Sequence, residues 1–299
     1  MDGWELVKPR TAAEGAVWRS SGGSLFKRTG DSDVLAEARF QSMLADQGYP
    51  VPAVVETGEA DGRCFFVERS VGDRSLHDRA VCDTEETGAV RQVTLDMAVE
   101  VSIRLLTAQV RTVRPRAVGE GEAWVARAGF VENVLAENPD LDTDRVHTVL
   151  NSVSERLGVV PFSHGHLDYG LPNAFADGVI DWQHHAPAPV GFDVYPMLDI
   201  TAFKGGGRGY AFTGEQRSAY IAALDEASTD LLDFALSRFL CDFLMVKCFF
   251  FLALMKPKDV TNRRKIAKWA YRRRLLMLGL ESYESNCSID TGSFPALDR

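Results

Sequence analysis

The most informative stretch of this sequence is His166-Leu167-Asp168-Tyr169-Gly170-Leu171-Pro172-Asn173, which is followed shortly by Val179-Ile180-Asp181-Trp182. Between the two runs lies Asp177-Gly178, a dipeptide typical of hairpin turns. The pattern predicts that Asp168 and Asn173 lie on a loop entering a hairpin and that Asp181 lies on the strand leaving it. The oxygen atoms gathered there suit Mg²⁺, which in proteins takes one or two carboxylates together with substrate phosphates.

Well before this segment, the predicted secondary structure of the chain changes near residue 70. Before it, short apolar runs between turn residues predict strands, with one helix at residues 34–47 that Gly48 ends. After it, apolar residues recur at three- and four-residue steps, as in residues 94–110, which is the period of an amphipathic helix. The sequence therefore predicts an α+β fold, with a small β-rich lobe at residues 1–70 and a larger, mainly helical lobe at residues 71–299.

The composition narrows the class of protein. The 299 residues include 45% hydrophobic and 25% charged residues, an ordinary globular profile. The net charge of −9, from 33 basic and 42 acidic residues, disfavours nucleic acid as a partner and permits a cationic small molecule. The five cysteines are odd in number and scattered, which favours a reducing compartment. With neither a secretory signal nor a spanning segment in the sequence, we expect a cytoplasmic protein that does not enter membranes.

The spacing of these motifs resembles a known family. His166-x-Asp168 with Asn173 five positions after the aspartate, then Ile180-Asp181-Trp182, is similar to the H-x-D-x-x-x-x-N and I-D-W signatures of aminoglycoside phosphotransferases and choline-kinase-like enzymes. These enzymes are small-molecule relatives of the protein kinases. The resemblance implies a bilobal, protein kinase-like fold. It also implies transfer of the γ-phosphate of ATP or GTP to a hydroxyl group of a small molecule, such as an aminoglycoside or another antibiotic.

The resemblance assigns roles around the main motif. Asp168 is the expected catalytic base, with His166 beside it, and Asn173 and Asp181 are the expected Mg²⁺ ligands. Asp193, in Gly191-Phe192-Asp193, is expected to support the catalytic loop by accepting hydrogen bonds. The register starts at His166, because a start at His164 would lose both the aspartate and the asparagine.

The resemblance extends more weakly into the first 70 residues. There, Lys27 matches the strand lysine that contacts the nucleotide phosphates, and Glu37 matches the glutamate that pairs with it. The resemblance implies that Glu68 and Ser70 lie in the segment that joins the lobes, where backbone groups are expected to contact the purine base of the nucleotide. Residues 9–15 match the turn over the phosphates, although they lack a glycine-rich motif.

Two other functions remain open from the residues alone. His164-x-His166-x-Asp168 is also the start of an H-x-H-x-D motif, which with His184 or His185 predicts a zinc-dependent hydrolase. That motif expects a further histidine where Tyr169 stands. The third hypothesis is a pseudokinase, which binds a nucleotide in the same fold and transfers nothing.

Overall fold

The computed structural model describes most of the chain. The described residues are 3–10, 15–115, 124–125, 131–199, 209–210, 212–255, 257, 261–286, 288–289 and 291, and the side chains of Arg10 and residues 251–255 are excepted. Residues 11–14, within the turn that the sequence predicts over the phosphates, lie outside this part.

The first part of the chain is an antiparallel sheet of five strands in the order β1-β2-β3-β5-β4. The strands are β1 (Trp4–Arg10), β2 (Gly15–Ser20), β3 (Leu25–Gly30), β4 (Val54–Ala60) and β5 (Arg63–Arg69). Helix α1 (Asp33–Asp46) connects β3 to β4 and packs Val34 and Ala38 against Phe66 of β5. The turn between β4 and β5 places Asp61 and Gly62 at positive φ, the conformation that a two-residue hairpin loop requires.

The second part is mainly helical. Its elements are α2 (Leu76–Thr87), α3 (Gln92–Arg111), α4 (Val131–Glu137), α5 (Asp144–Leu157), β6 (Phe162–Gly165), β7 (Ala186–Pro189), α6 (Gly214–Leu232), α7 (Leu240–Met255) and α8 (Arg263–Asn286). The helices begin where polar side chains cap them. The Ser75 hydroxyl accepts from the amide of Asp78 at the start of α2, and Thr213 forms a capping box with Gln216 at the start of α6.

The candidate site lies in the chain segment that connects β6 to β7, two strands that pair as a short antiparallel ribbon. Within it, Ala174 and Val179 pair across a tight hairpin, as the sequence predicts. The Phe175 amide donates to the Gly178 carbonyl over 2.8 Å, so Ala176 and Asp177 occupy the centre of the turn. The centre of the turn therefore lies one residue before the predicted Asp177-Gly178. Gly178 instead packs closely against Pro50, where a Cβ atom on residue 178 would lie only 2.8 Å from the Pro50 carbonyl oxygen.

A β-rich first part followed by a helical remainder agrees with the predicted α+β class. The lobe boundary at residue 70 stays a prediction. Every helix in the described part of the chain is too short or too polar to span a bilayer. The four described cysteines, Cys64, Cys82, Cys241 and Cys248, are free thiols.

Candidate active site

The backbone of the loop that carries Asp168 is held by Asp193. This carboxylate is fully buried and accepts hydrogen bonds of 2.8 Å from the amides of both His166 and Leu167. The side-chain amide of Gln109 on α3 donates a third bond of 3.1 Å. A carboxylate with three donors is fixed in one orientation. It therefore fixes the two amides that immediately precede Asp168; the supporting role of Asp193 in catalysis stays a prediction.

His166 is an internal link and does not face solvent. Its side chain is fully buried, and Nε2 donates to the carbonyl of Ile180 over 2.9 Å. The ring also packs edge-on against Trp182, with 4.8 Å between centroids. Burial lowers the pKa of the imidazole, although Asp193 opposes this shift. The grouping of His166 with the catalytic residues therefore needs correction, because a buried, bonded imidazole joins the Asp168 loop to the Asp181 segment.

Two hydrogen bonds connect the backbone segments that carry the predicted base and the predicted metal ligands. The Asn173 side-chain amide donates to the backbone carbonyl of Asp168 over 3.0 Å. The Ile180 amide, one residue before Asp181, donates to the backbone carbonyl of Asn173 over 2.9 Å. Asp168, Asn173 and Asp181 are all half-buried. The fold thus joins the loop that carries Asp168 and Asn173 to the segment that carries Asp181, eight positions further along the chain.

Two residues of this site adopt left-handed backbone conformations. Leu167 has φ 65° and Asp181 has φ 70°. Such conformations cost a non-glycine residue about 1–3 kcal/mol and persist only where the surroundings hold them. Leu167 immediately precedes Asp168, so strain is stored at both ends of the candidate site.

On the sheet side of the site, the structure places Arg28 where the sequence analysis predicts Lys27. The Nε of Arg28 lies 2.8 Å from Oε1 of Glu68, and its Nη1 lies 3.2 Å from Oε1 of Glu37. The ammonium of Lys27 instead lies 3.9 Å from the centroid of the Phe65 ring. The predicted pairing of Glu37 with Lys27 is therefore wrong, and Arg28 is the partner of Glu37.

The alternation of side chains along β3 explains this correction. Arg28 lies opposite Phe66 of β5, and Lys27 lies opposite Val67, so the two cations project from opposite faces of the sheet. Phe66 is the residue on which α1 packs, which puts Arg28 on the face that carries Glu37. Burial alone would lower the pKa of Arg28, but the carboxylates of Glu68, Glu37 and Asp181 together raise it. Arg28 is consequently a permanent cation that feels the charge of Asp181.

A cavity of about 620 Å³ separates the sheet from the hairpin. Volumes of this size are typical of small-molecule sites. Val17, Phe26 and Arg28 line it from the sheet, and Phe175 and Asp181 line it from the other side. The cavity is thus lined by the apolar side chains of Val17, Phe26 and Phe175 and by the opposite charges of Arg28 and Asp181.

Glu68 and Ser70 also line this cavity, but their contacts differ from those expected of a base-binding segment. The Glu68 side chain is buried, where it meets Arg28 and accepts a 2.8 Å bond from Gln41. The amide of Ser70 already donates to the carbonyl of Ser24 over 2.9 Å. Recognition of a nucleotide base by the Ser70 amide would have to break that bond. The Glu68 side chain, in turn, is occupied by its contacts with Arg28 and Gln41.

The histidines do not form a metal centre. His164 packs edge-on against Phe40, at 5.8 Å between centroids, and His185 stacks on the same ring at 3.5 Å. Across the described residues, no three His, Cys, Asp or Glu side chains are grouped as metal ligands. The cluster of His164, His166 and Asp168 required by the zinc hypothesis is therefore not formed.

Comparison with known proteins identifies the family. A model of the phosphotransferase enzyme family, APH, matches residues 24–234, which is well over half of the chain. The chain therefore belongs to the phosphotransferase enzyme family, whose members are small-molecule phosphotransferases. Among curated proteins, no sequence matches the chain.

Solved structures share this fold. An aminoglycoside-3'-phosphotransferase of type VIII has 22% identity and a TM-score of 0.54, with 84% of this chain and 95% of that one covered. A Ralstonia eutropha JMP134 protein described as a candidate aminoglycoside phosphotransferase has 13% identity and a TM-score of 0.58, with 94% and 92% covered. At these identities the likeness is one of fold, and it confirms the predicted protein kinase-like architecture.

Several residues of the site carry no signal in the local sequence. Gln109 and Lys247 bond to Asp193 and to the Leu167 carbonyl, respectively, from helices that are distant along the chain from the Asp168 loop. Arg28 alone had a detectable signal, because the two-residue period of a strand places it on the same face as Phe26.

Proposed function

We propose that this protein transfers the γ-phosphate of ATP or GTP to a hydroxyl group of a small molecule. Asp168 orients the acceptor hydroxyl and accepts its proton. The acceptor oxygen then forms a bond to the γ-phosphorus while the bond to the β-phosphate oxygen breaks, and the nucleoside diphosphate leaves. Such a transfer depends mainly on positioning and on stabilisation of charge, so a few side chains suffice.

The observation that carries this proposal is a pair of hydrogen bonds. The Asn173 side chain donates to the Asp168 carbonyl, and the amide of Ile180, next to Asp181, donates to the Asn173 carbonyl. They hold together the backbone segments that carry the proposed base and the two proposed oxygen ligands, and the charge of Asp181 acts on the buried cation Arg28 across the cavity. Family membership supports the same reaction.

The donor chemistry of Asn173 and Asp181 fits Mg²⁺. One carboxylate and one carboxamide, both half-buried, match the few protein oxygens that Mg²⁺ takes when phosphates supply the rest. Asn173 and Asp181 would hold the ion, and the ion would neutralise charge on the phosphates. Arg28 supplies the fixed positive charge from the sheet in the role first assigned to Lys27.

We propose that the nucleotide occupies the cavity between the sheet and the hairpin. Val17 and Phe26 offer an apolar surface on one side and Phe175 and Ile180 on the other, which suits a flat base. The phosphates then extend toward Arg28. Residues 69–73, in the segment that joins the sheet to the helical part, also line the cavity. Because backbone groups of such a segment can meet either purine base, ATP and GTP are both tested.

The acceptor is a hydroxyl compound that reaches Asp168. An aminoglycoside or another antibiotic is the first class to test, given the family and the net charge of −9. Arg272 on α8 is buried and close enough to Asp168 for their charges to interact, and burial lowers its pKa to about 10. A cation beside the base disfavours an ammonium group at that position, so neutral and anionic hydroxyl compounds belong in the same panel.

The test is a transfer assay with γ-labelled ATP and GTP, Mg²⁺ and this acceptor panel, including water alone. We expect a phosphorylated acceptor, or at least slow nucleotide hydrolysis, that Asp168→Asn lowers by about 10²- to 10⁴-fold. Nucleotide binding with no transfer or hydrolysis would favour the pseudokinase hypothesis. Equal activity of Asp168→Asn would place the base elsewhere.

A further inference from the structure

A lysine from a distant helix reaches the backbone of the catalytic loop. Lys247 lies on α7 and is fully buried. Its ammonium donates a hydrogen bond to the backbone carbonyl of Leu167. The same ammonium lies 4.4 Å from the ring centroid of Phe192 and 5.7 Å from that of Phe250, so two aromatic faces accompany the charge.

Burial of a lysine demands a reason, because charged side chains are almost never fully buried unless they are paired. Its neighbours Met245, Val246 and Phe249 are apolar and buried, and an apolar residue at 247 would continue their packing. Unlike an apolar side chain, the ammonium donates to a carbonyl in the loop that carries Asp168.

That carbonyl belongs to the peptide unit that joins Leu167 to Asp168. Because a peptide unit is planar, a bond that fixes its carbonyl also fixes the amide and the Cα atom of Asp168. The amide of Leu167 is bonded to Asp193 on its other side, over 2.8 Å. Leu167 is thus held at both backbone polar groups in its left-handed conformation, by a carboxylate at its amide and a cation at its carbonyl.

We propose that Lys247 is a positioning residue that sets the direction of the Asp168 side chain through the Leu167 carbonyl. This inference rests on the proposed role of Asp168. Asp193 defines where the loop lies, and Lys247 defines the rotation of the peptide that presents Asp168 to the acceptor.

The variant that tests this is Lys247→Met, which keeps the length and apolar stem of the side chain and removes the ammonium. We expect kcat to fall by about 10²-fold, as for a catalytic group displaced by about 1 Å, with the nucleotide KM within about twofold of the wild type. A mainly structural lysine would instead lower thermal stability and raise the nucleotide KM as well.

The matched control is Asp242→Asn on the same helix. Asp242 is also fully buried, but it pairs with Arg156 at 3.0 Å and accepts from Tyr283, away from the loop. We expect this variant to lose thermal stability with its kcat unchanged. A parallel loss of kcat in both variants would overturn the proposal.

Amide hydrogen exchange provides a readout that needs no activity. The amides of His166 and Leu167 should exchange about tenfold faster in Lys247→Met and at the wild-type rate in Asp242→Asn. Unchanged exchange with unchanged kcat would refute the positioning role. If exchange is faster in Lys247→Met but the wild-type protein transfers no phosphate, Lys247 remains the anchor of the loop and only the proposed function is refuted.

Discussion

Replacing Arg28 and Lys27 separately by methionine distinguishes the two adjacent cations of β3. Arg28 is 6% exposed and pairs with Glu68 at 2.8 Å and Glu37 at 3.2 Å. Removing one partner of a buried ion pair typically costs about 3–5 kcal/mol. Gln41 stays bonded to Glu68 in the variant, so we expect the lower end, about 3 kcal/mol, for Arg28→Met.

The Lys27→Met change should be mild. Lys27 has a cation–π contact with Phe65 at 3.9 Å, which is worth about 0.5–1 kcal/mol at an accessible site. Methionine retains contact with that ring, so the expected loss of stability is below about 1 kcal/mol. Urea unfolding of both variants measures this difference.

Nucleotide affinity separates the two cations more sharply. A charge-assisted hydrogen bond contributes about 1.5–3 kcal/mol, so loss of Arg28 should weaken Mg²⁺–nucleotide binding by about ten- to hundredfold. Lys27→Met should change the affinity by less than about twofold, since Lys27 faces away from the cavity. Isothermal titration with ATP and GTP measures both.

If Arg28→Met does not fold, Arg28→Lys keeps a charge at the same position. This second variant should fold and bind with intermediate affinity, because an ammonium lacks the planar fork that meets two carboxylates. The reasoning is refuted if Lys27→Met weakens nucleotide binding tenfold or more while either Arg28 variant binds as the wild type does.

Three further predictions concern the loop and the hairpin. Asp168→Asn should leave nucleotide affinity within about twofold while transfer falls, and titration of the variant with Mg²⁺–ATP measures this. Asp181→Ala should abolish the Mg²⁺-dependent part of nucleotide binding; unchanged Mg²⁺ dependence would move the ligand elsewhere. Burial lowers the pKa of His166 in the folded state, so its contribution to stability is complete above about pH 6.5 and is lost as the pH falls. His166→Gln, which keeps a donor for Ile180, should flatten the dependence of the unfolding free energy on pH below 6.5 by up to about 1.4 kcal/mol per pH unit, and an unchanged slope would contradict this.

The loop that carries Asp168 could be predicted from the sequence because its residues lie close together along the chain. Asp168, Asn173 and Asp181 lie within one loop and one hairpin, so their spacing along the chain nearly determines their spacing in space. The observed hairpin turn lies one residue before the predicted one, because Gly178 is needed for the close approach to Pro50.

The cation of the sheet could not be assigned by motif alone. Lys27 and Arg28 are adjacent, and a shift of one residue moves a side chain to the other face of a strand. The pairing with Glu68 decides which cation faces the cavity, and that contact spans forty positions of sequence.

The supports of the loop were the least predictable part. Gln109 on α3 and Lys247 on α7 reach the loop only through the packing of the helical part, and each looks like an ordinary helix residue in the sequence. The position of His166 could not be predicted from the sequence for a similar reason. A histidine beside a predicted catalytic aspartate suggests proton transfer, whereas the burial of His166 and its bond to Ile180 are properties of the tertiary structure.

The measurement that tests the central claim most directly is the thermal stability of the wild-type protein with ATP, GTP or Zn²⁺, each with and without Mg²⁺. A ligand that binds only the folded state raises the melting temperature. We predict that a nucleotide together with Mg²⁺ raises it by about 5 °C at a hundredfold excess over Kd, and that Zn²⁺ alone does not raise it. Stabilisation by Zn²⁺ and by neither nucleotide would contradict the account.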